Sequence, residues 1–160
     1  MNTTTKETLI QVWGLWRSGT NFVEYLVRNN IKNNNYERKE AYNRFSGKMD
    51  ALKHCYPDND VATYHIGIYK RLGPWVQSHD RYDMKKIENE PIGAWIQWQD
   101  VYKKFNDGNP NSRMICLDDF MGRELWWFRK WQNDGWQIEF NDIWQVPIKR
   151  MGKGSGINFE

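Results

Sequence analysis

The sequence predicts an α/β domain with a mainly parallel central sheet flanked by helices. Three observations carry that expectation. A strand pattern runs through a glycine-bounded turn into a helix before residue 31. Further short apolar strand patterns then alternate with helical ones, the order that builds parallel sheets. No internal repeat or heptad run competes with that order. At 160 residues, with 39% hydrophobic and 16% aromatic content, the chain can bury one core. A single domain over residues 1–160 is expected, its core spanning about 8–156.

Thr8–Trp13 is short, apolar and rich in β-formers, and reads as a buried strand. Gly14-Leu15-Trp16-Arg17-Ser18-Gly19-Thr20 is the turn. Asn21–Asn30 follows as a helix, because Phe22, Val23, Leu26 and Val27 share a face and the Asn29-Asn30 pair is a stop signal. Residues 31–60 are polar and Asn-rich. They predict an excursion with one short helix near Lys48–Leu52, closed by a turn at Pro57–Asp60. Ala62, Tyr64, Ile66 and Ile68 alternate as a second strand.

Lys70–Pro74 is then a loop, and Pro74 suits the first turn of a helix carrying Trp75, Ser78 and Tyr82. Pro91 opens a helix through about Phe105, with Trp95, Trp98 and Tyr102 at helical spacing. Met114–Leu117 is a third short strand, followed by Asp118-Asp119. A Trp-rich helix from Leu125 to about Gln132 precedes a strand pattern at Trp136–Phe140. The basic, Gly-rich stretch Lys149–Gly156 comes last.

Lys and Arg number 23 against 20 Asp and Glu, a net charge of +3. That excess is too mild for a DNA-coating protein, so no nucleic-acid partner is expected, but it leaves room for a local anion site. No apolar run reaches the roughly 18 residues of a membrane span. Met1–Glu7 holds no apolar signal core, so a soluble, cytoplasmic protein is expected. Two cysteines without a CxxC pair, and three scattered histidines, predict neither a metal site nor a disulfide scaffold.

A glycine loop between a buried strand and a helix can hold a phosphate, because amides converge there and the helix N-terminus favours an anion. Gly14 and Gly19 have the spacing of a nucleotide-triphosphatase loop, yet Thr20 stands where that loop needs its lysine. The cation lies inside the loop instead, at Arg17. Arg17 directly before Ser18-Gly19-Thr20 resembles the 5'-phosphosulfate loop of the sulfotransferases. In that family a second strand leads to a basic residue with a serine eight positions on. Here Lys70 and Ser78 have that spacing, and Trp75 is similar to the tryptophan of a bacterial variant. Trp98-x-x-x-Tyr102, Met114–Asp119 and Lys149–Gly156 follow in family order. Departures are Trp16 for the usual proline, Asn21 for a second threonine, and Leu72 for the proline after the basic residue.

The resemblance implies a P-loop-type three-layer domain that binds 3'-phosphoadenosine 5'-phosphosulfate (PAPS; product PAP) and moves its sulfuryl group to a hydroxyl or amine. It implies no metal. The acceptor would be a small molecule or a glycan; oligomeric state stays open. Arg17 would offset charge on the bridging oxygen, with Trp16, Ser18, Gly19, Thr20 and Asn21 around the 5'-phosphate. Lys70, Ser78, Arg150, Gly152, Lys153 and Gly154 would surround the 3'-phosphate. His54, between the loop helix and the second strand, is the first candidate for the base, since histidine titrates in the useful range. Glu24 is the alternative, although a carboxylate at its position reads first as a solvated helix-face group. Trp75, Trp95 and Trp98 read either as adenine- or acceptor-stacking rings or as core. Two other classes stay open: a degenerate P-loop nucleotide kinase or NTPase, with Asp118-Asp119 as the magnesium end, and a non-catalytic glycan- or partner-binding module.

Overall fold

A computed structural model describes residues 8–35, 39–81 and 91–147. Strand β1 (Thr8–Trp13) is followed by helix α1 (Thr20–Asn30), and a small hairpin by β2 (Glu40–Asn43) and β3 (Lys48–Ala51). A 3₁₀ turn at Leu52–His54 leads to β4 (Ala62–Tyr69). Helices α2 (Leu72–Arg81) and α3 (Pro91–Asn106), strand β5 (Ser112–Cys116), the short α4 (Leu117–Phe120) and α5 (Glu124–Asn133) complete the order.

The central sheet has the order β1-β4-β5 and both pairings are parallel, so the α/β expectation holds. Ile10 lies opposite Tyr64 and Trp13 opposite Gly67, while Gly67 also faces Met114 across β5. Parallel strands need covered faces, and strand alternation divides the apolar residues between two cores. Ile10, Val12, Tyr64, Ile66 and Ile68 pack with Phe22, Val23, Leu26 and Val27 of α1 and with Phe128 and Trp131 of α5. Trp13 instead packs with Trp75 of α2 and with Trp98 and Tyr102 of α3. Helices thus cover both faces of the sheet.

Gly67 is where the second core comes closest to the backbone. A Cβ there would lie 2.3 Å from the Tyr102 ring, so only glycine lets α3 pack this tightly. Burial pushes the Tyr102 phenol well above its ordinary range, and its bond with Ser112 (3.3 Å) lowers it in part.

Three expectations are corrected. The helix expected near Lys48–Leu52 is instead strand β3, paired antiparallel with β2 in the register Tyr42–Met49, and it ends in the 3₁₀ turn. Gly47, at φ 71°, closes that hairpin. Trp136–Phe140 alternates in burial as a strand would, yet among the described residues only Phe140 bridges, to Ile31. Two of its backbone groups find partners off any ladder: Gln137 N–H donates to the Tyr64 hydroxyl, and the Gln132 side-chain amide donates to the Ile138 carbonyl. Leu117 leaves the third strand and opens α4. Pro74 does fall in the first turn of α2, and α3 opens at Pro91 as expected. Tyr82 and Lys149–Gly156 lie outside the described residues. No helix among the described residues is long and apolar enough to cross a membrane.

Candidate functional site

The loop from Gly14 to Gly19 leaves β1 at its C-terminal end and enters α1. Gly14 has no room for a side chain: a Cβ would lie 2.6 Å from the Ile68 carbonyl oxygen and 2.9 Å from Thr20. Arg17 has φ 65° and Gly19 φ 90°. A non-glycine residue in the left-handed region is uncommon, and such residues cluster at functional sites. Two left-handed residues so close together curl the chain in the manner of an anion-binding nest. Gly19 is the N-cap of α1 and brings no side chain to cap it. Leading amides of a helix with that kind of start suit an anion.

Arg17 is half-buried, and its Nε donates to Ser78 Oγ at 3.2 Å. Loop and α2 therefore meet through two residues that lie 61 positions apart. Trp75, fully buried on the same helix, donates its indole N–H to the Trp16 carbonyl at 2.7 Å. Trp16 is also buried and donates its own indole N–H to Asp50 of the hairpin. The loop is thus tied from two sides: α2 holds its backbone, and the β-hairpin holds its tryptophan.

A third tie comes from the 3₁₀ turn. Gly14 N–H donates to the Lys53 carbonyl at 2.8 Å, and His54 Nδ1 lies 2.6 Å from the Gly14 carbonyl. A carbonyl can only accept, so Nδ1 carries the proton and Nε2 is the basic nitrogen of the neutral ring. The His54 ring tilts against Trp16, centroids 5.4 Å apart. The sequence placed His54 only in a polar excursion; the structure sets it against the glycine loop.

Lys53 and Glu24 form an interaction that residue spacing did not reveal. Their side chains are 6% and 2% exposed and pair at 2.8 Å, and Lys53 also donates to Asn21. Glu24 is consequently not the solvated helix-face carboxylate expected from its position. It is a buried anion engaged by a buried cation, and the pair fixes α1 to the 3₁₀ turn. The only sequence signal was Lys53 itself, adjacent to His54 in a stretch otherwise without strong pattern.

Ser18 and Thr20 are buried within the loop, and Gly19 packs against Leu117. Lys70 follows β4 directly, and its carbonyl accepts the Trp95 indole N–H at 2.9 Å. Trp75 and Trp98 are core residues, 0% and 1% exposed, whereas Trp95 is only partly buried. Arg150, Gly152, Lys153 and Gly154 lie outside the described residues. Asp118 and Asp119 are exposed in the first turn of α4. Cys55 and Cys116 are free and buried. Burial, then the nearby Asp50 carboxylate, pushes the Cys55 thiol up to about 11. Among the described residues no group of three or more His, Cys, Asp or Glu side chains could hold a metal. No protein-family model, curated protein or solved structure matches the chain.

Proposed function

We propose that the protein is a sulfotransferase that uses PAPS and delivers its sulfuryl group to a hydroxyl or amine of a small molecule or glycan. The observation that supports this most is a convergence at the end of β1. An uncapped helix start, a left-handed Arg17 bonded to Ser78, and His54 on the Gly14 carbonyl come from three distant segments. A cation, hydroxyls and leading helix amides form a donor set that fits a phosphosulfate group.

When bound, PAPS supplies the activated sulfuryl group. Ser18, Gly19, Thr20 and Asn21 hold the 5'-phosphate side, and Lys70 with Ser78 holds the 3'-phosphate. Arg17 stabilises negative charge with a guanidinium whose Nε is fixed by Ser78. His54 takes the acceptor proton on Nε2, because its Nδ1 proton is committed to Gly14. Lys53 does not substitute for the missing nucleotide-loop lysine, since Glu24 and Asn21 engage it. That favours sulfuryl transfer over a degenerate nucleotide kinase, which needs a lysine on the β- and γ-phosphates.

The test is transfer of radiolabelled sulfuryl from PAPS into acceptor extracts, with and without a magnesium chelator. Transfer that survives chelation and falls by about 10²–10³-fold in Arg17→Ala is expected. Absence of transfer from every acceptor class, together with firm PAP binding, would leave a non-catalytic binding module. Magnesium-dependent phosphoryl transfer would refute the sulfotransferase assignment.

A further inference from the structure

We infer that a second binding site, for a small organic cation of the alkylammonium class, lies between the start of α5 and residues 144–146. It does not depend on the sulfotransferase assignment. A cavity of about 690 Å³ opens there, lined by Gly122, Arg123, Glu124, Leu125, Trp126, Trp144 and Val146. Its size falls in the range of small-molecule sites.

The wall is aromatic and fixed in place. Trp126 is 56% exposed, and Trp127 packs edge-on against it with ring centroids 4.8 Å apart. Trp127 in turn donates its indole N–H to the Asp119 carbonyl at 2.9 Å. Trp144 is braced by Phe128 and Phe140, at 5.5 and 5.9 Å. The two cavity tryptophans therefore hold their orientation before any ligand arrives, which lowers the ordering cost of binding.

Glu124 gives the cavity its sign. The residue is only 8% exposed, yet it lines the cavity, and among the described residues no hydrogen bond or ion pair engages its carboxylate. Its place in the first turn of α5 suits a negative charge. Its carboxylate opens to the cavity, and a cation entering there gains a charge partner within reach of the two tryptophan faces. Trp faces attract cations by their quadrupole, most strongly where water is excluded. Leu125 and Val146 offer apolar contact to the alkyl groups of such a ligand. Arg123 is exposed on the rim, where solvent screens its charge. An anion meets Glu124 unfavourably, and a neutral ligand leaves its carboxylate unpaired.

Choline and its neutral carbon isostere, 3,3-dimethylbutan-1-ol, are the probes, titrated into the whole chain by ligand-observed NMR. Saturable choline binding about tenfold tighter than that of the isostere is expected. Glu124→Gln should remove that preference, and Trp126→Ala, at an exposed position, should weaken choline by a similar factor with an unchanged circular-dichroism spectrum. Equal binding of the two probes, or no saturable choline binding, would overturn the inference. So would choline affinity that stays at the wild-type level in Trp126→Ala, which decides the matter even if Glu124→Gln fails to fold.

Discussion

Replacing Lys53 by methionine is expected to cost far more than any surface charge substitution, because burial decides what an ion pair contributes. Lys53 and Glu24 pair at 2.8 Å with side chains 6% and 2% exposed. Removing one member of such a pair takes from the other its close counter-charge in a low-dielectric interior, at a cost of about 3–5 kcal/mol. Asn21 loses a donor as well. For a domain of this length each kcal/mol moves the melting temperature by about 2–4 °C, so Lys53→Met should melt about 6–20 °C lower. Lys104 and Asp100 provide an internal control: they pair at 3.1 Å but are 77% and 62% exposed. Asp100→Asn should change stability by less than about 1 kcal/mol. The combined Lys53→Met, Glu24→Leu variant should recover most of the loss, since it buries no lone charge. Thermal and urea unfolding of the four proteins is the assay. A Lys53→Met variant as stable as Asp100→Asn, or a double variant no better than the single one, would refute the reasoning.

Gly67→Ala should destabilise by about 3 kcal/mol or more, as its Cβ meets the buried Tyr102 ring at 2.3 Å; unfolding close to wild type would mean that α3 can shift. Trp75→Phe removes the donor to the Trp16 carbonyl and should cost about 1–3 kcal/mol in urea unfolding, a loss absent if water replaces the indole. Cys55 should resist iodoacetamide at pH 8, because its thiol is raised from 9.0 to about 11. The linkage has a sign: the unfolded thiol ionises first, so this contribution to stability is complete below pH 9 and is lost as pH rises from about 9 to 11. Rapid alkylation of the folded protein at pH 8 would contradict it.

The opening unit was legible because its signals are local. An apolar run, two glycines and one amphipathic face dictate Thr8–Trp13, the loop and α1 with little help from the rest of the chain. The β2–β3 hairpin was not, since Tyr42 and Met49 form a cross-strand pair that is 61% and 62% exposed, and no buried face imposes alternation on those residues. Gly47 was its one local cue. Trp136 and Ile138 gave the opposite error: their burial alternates, but among the described residues no neighbouring strand lies beside them to form a ladder. At the site, Arg17 and Ser78 were both singled out by the resemblance to the sulfotransferases, whereas their bond, and the Lys53–Glu24 pair, depend on how α2 and the 3₁₀ turn dock. Contacts of that separation in sequence carry no periodic signature.

The measurement closest to the central claim is calorimetry of the whole chain with adenosine 3',5'-bisphosphate, AMP and ATP in the absence of magnesium. If the loop around Arg17 holds the 5'-phosphate while Lys70 and Ser78 hold the 3'-phosphate, the 3',5'-bisphosphate should bind at least about a hundredfold tighter than AMP, as two charge-assisted hydrogen bonds of about 1.5 kcal/mol each supply. ATP should bind no better than AMP. Equal affinities, or a preference for ATP, would contradict the account.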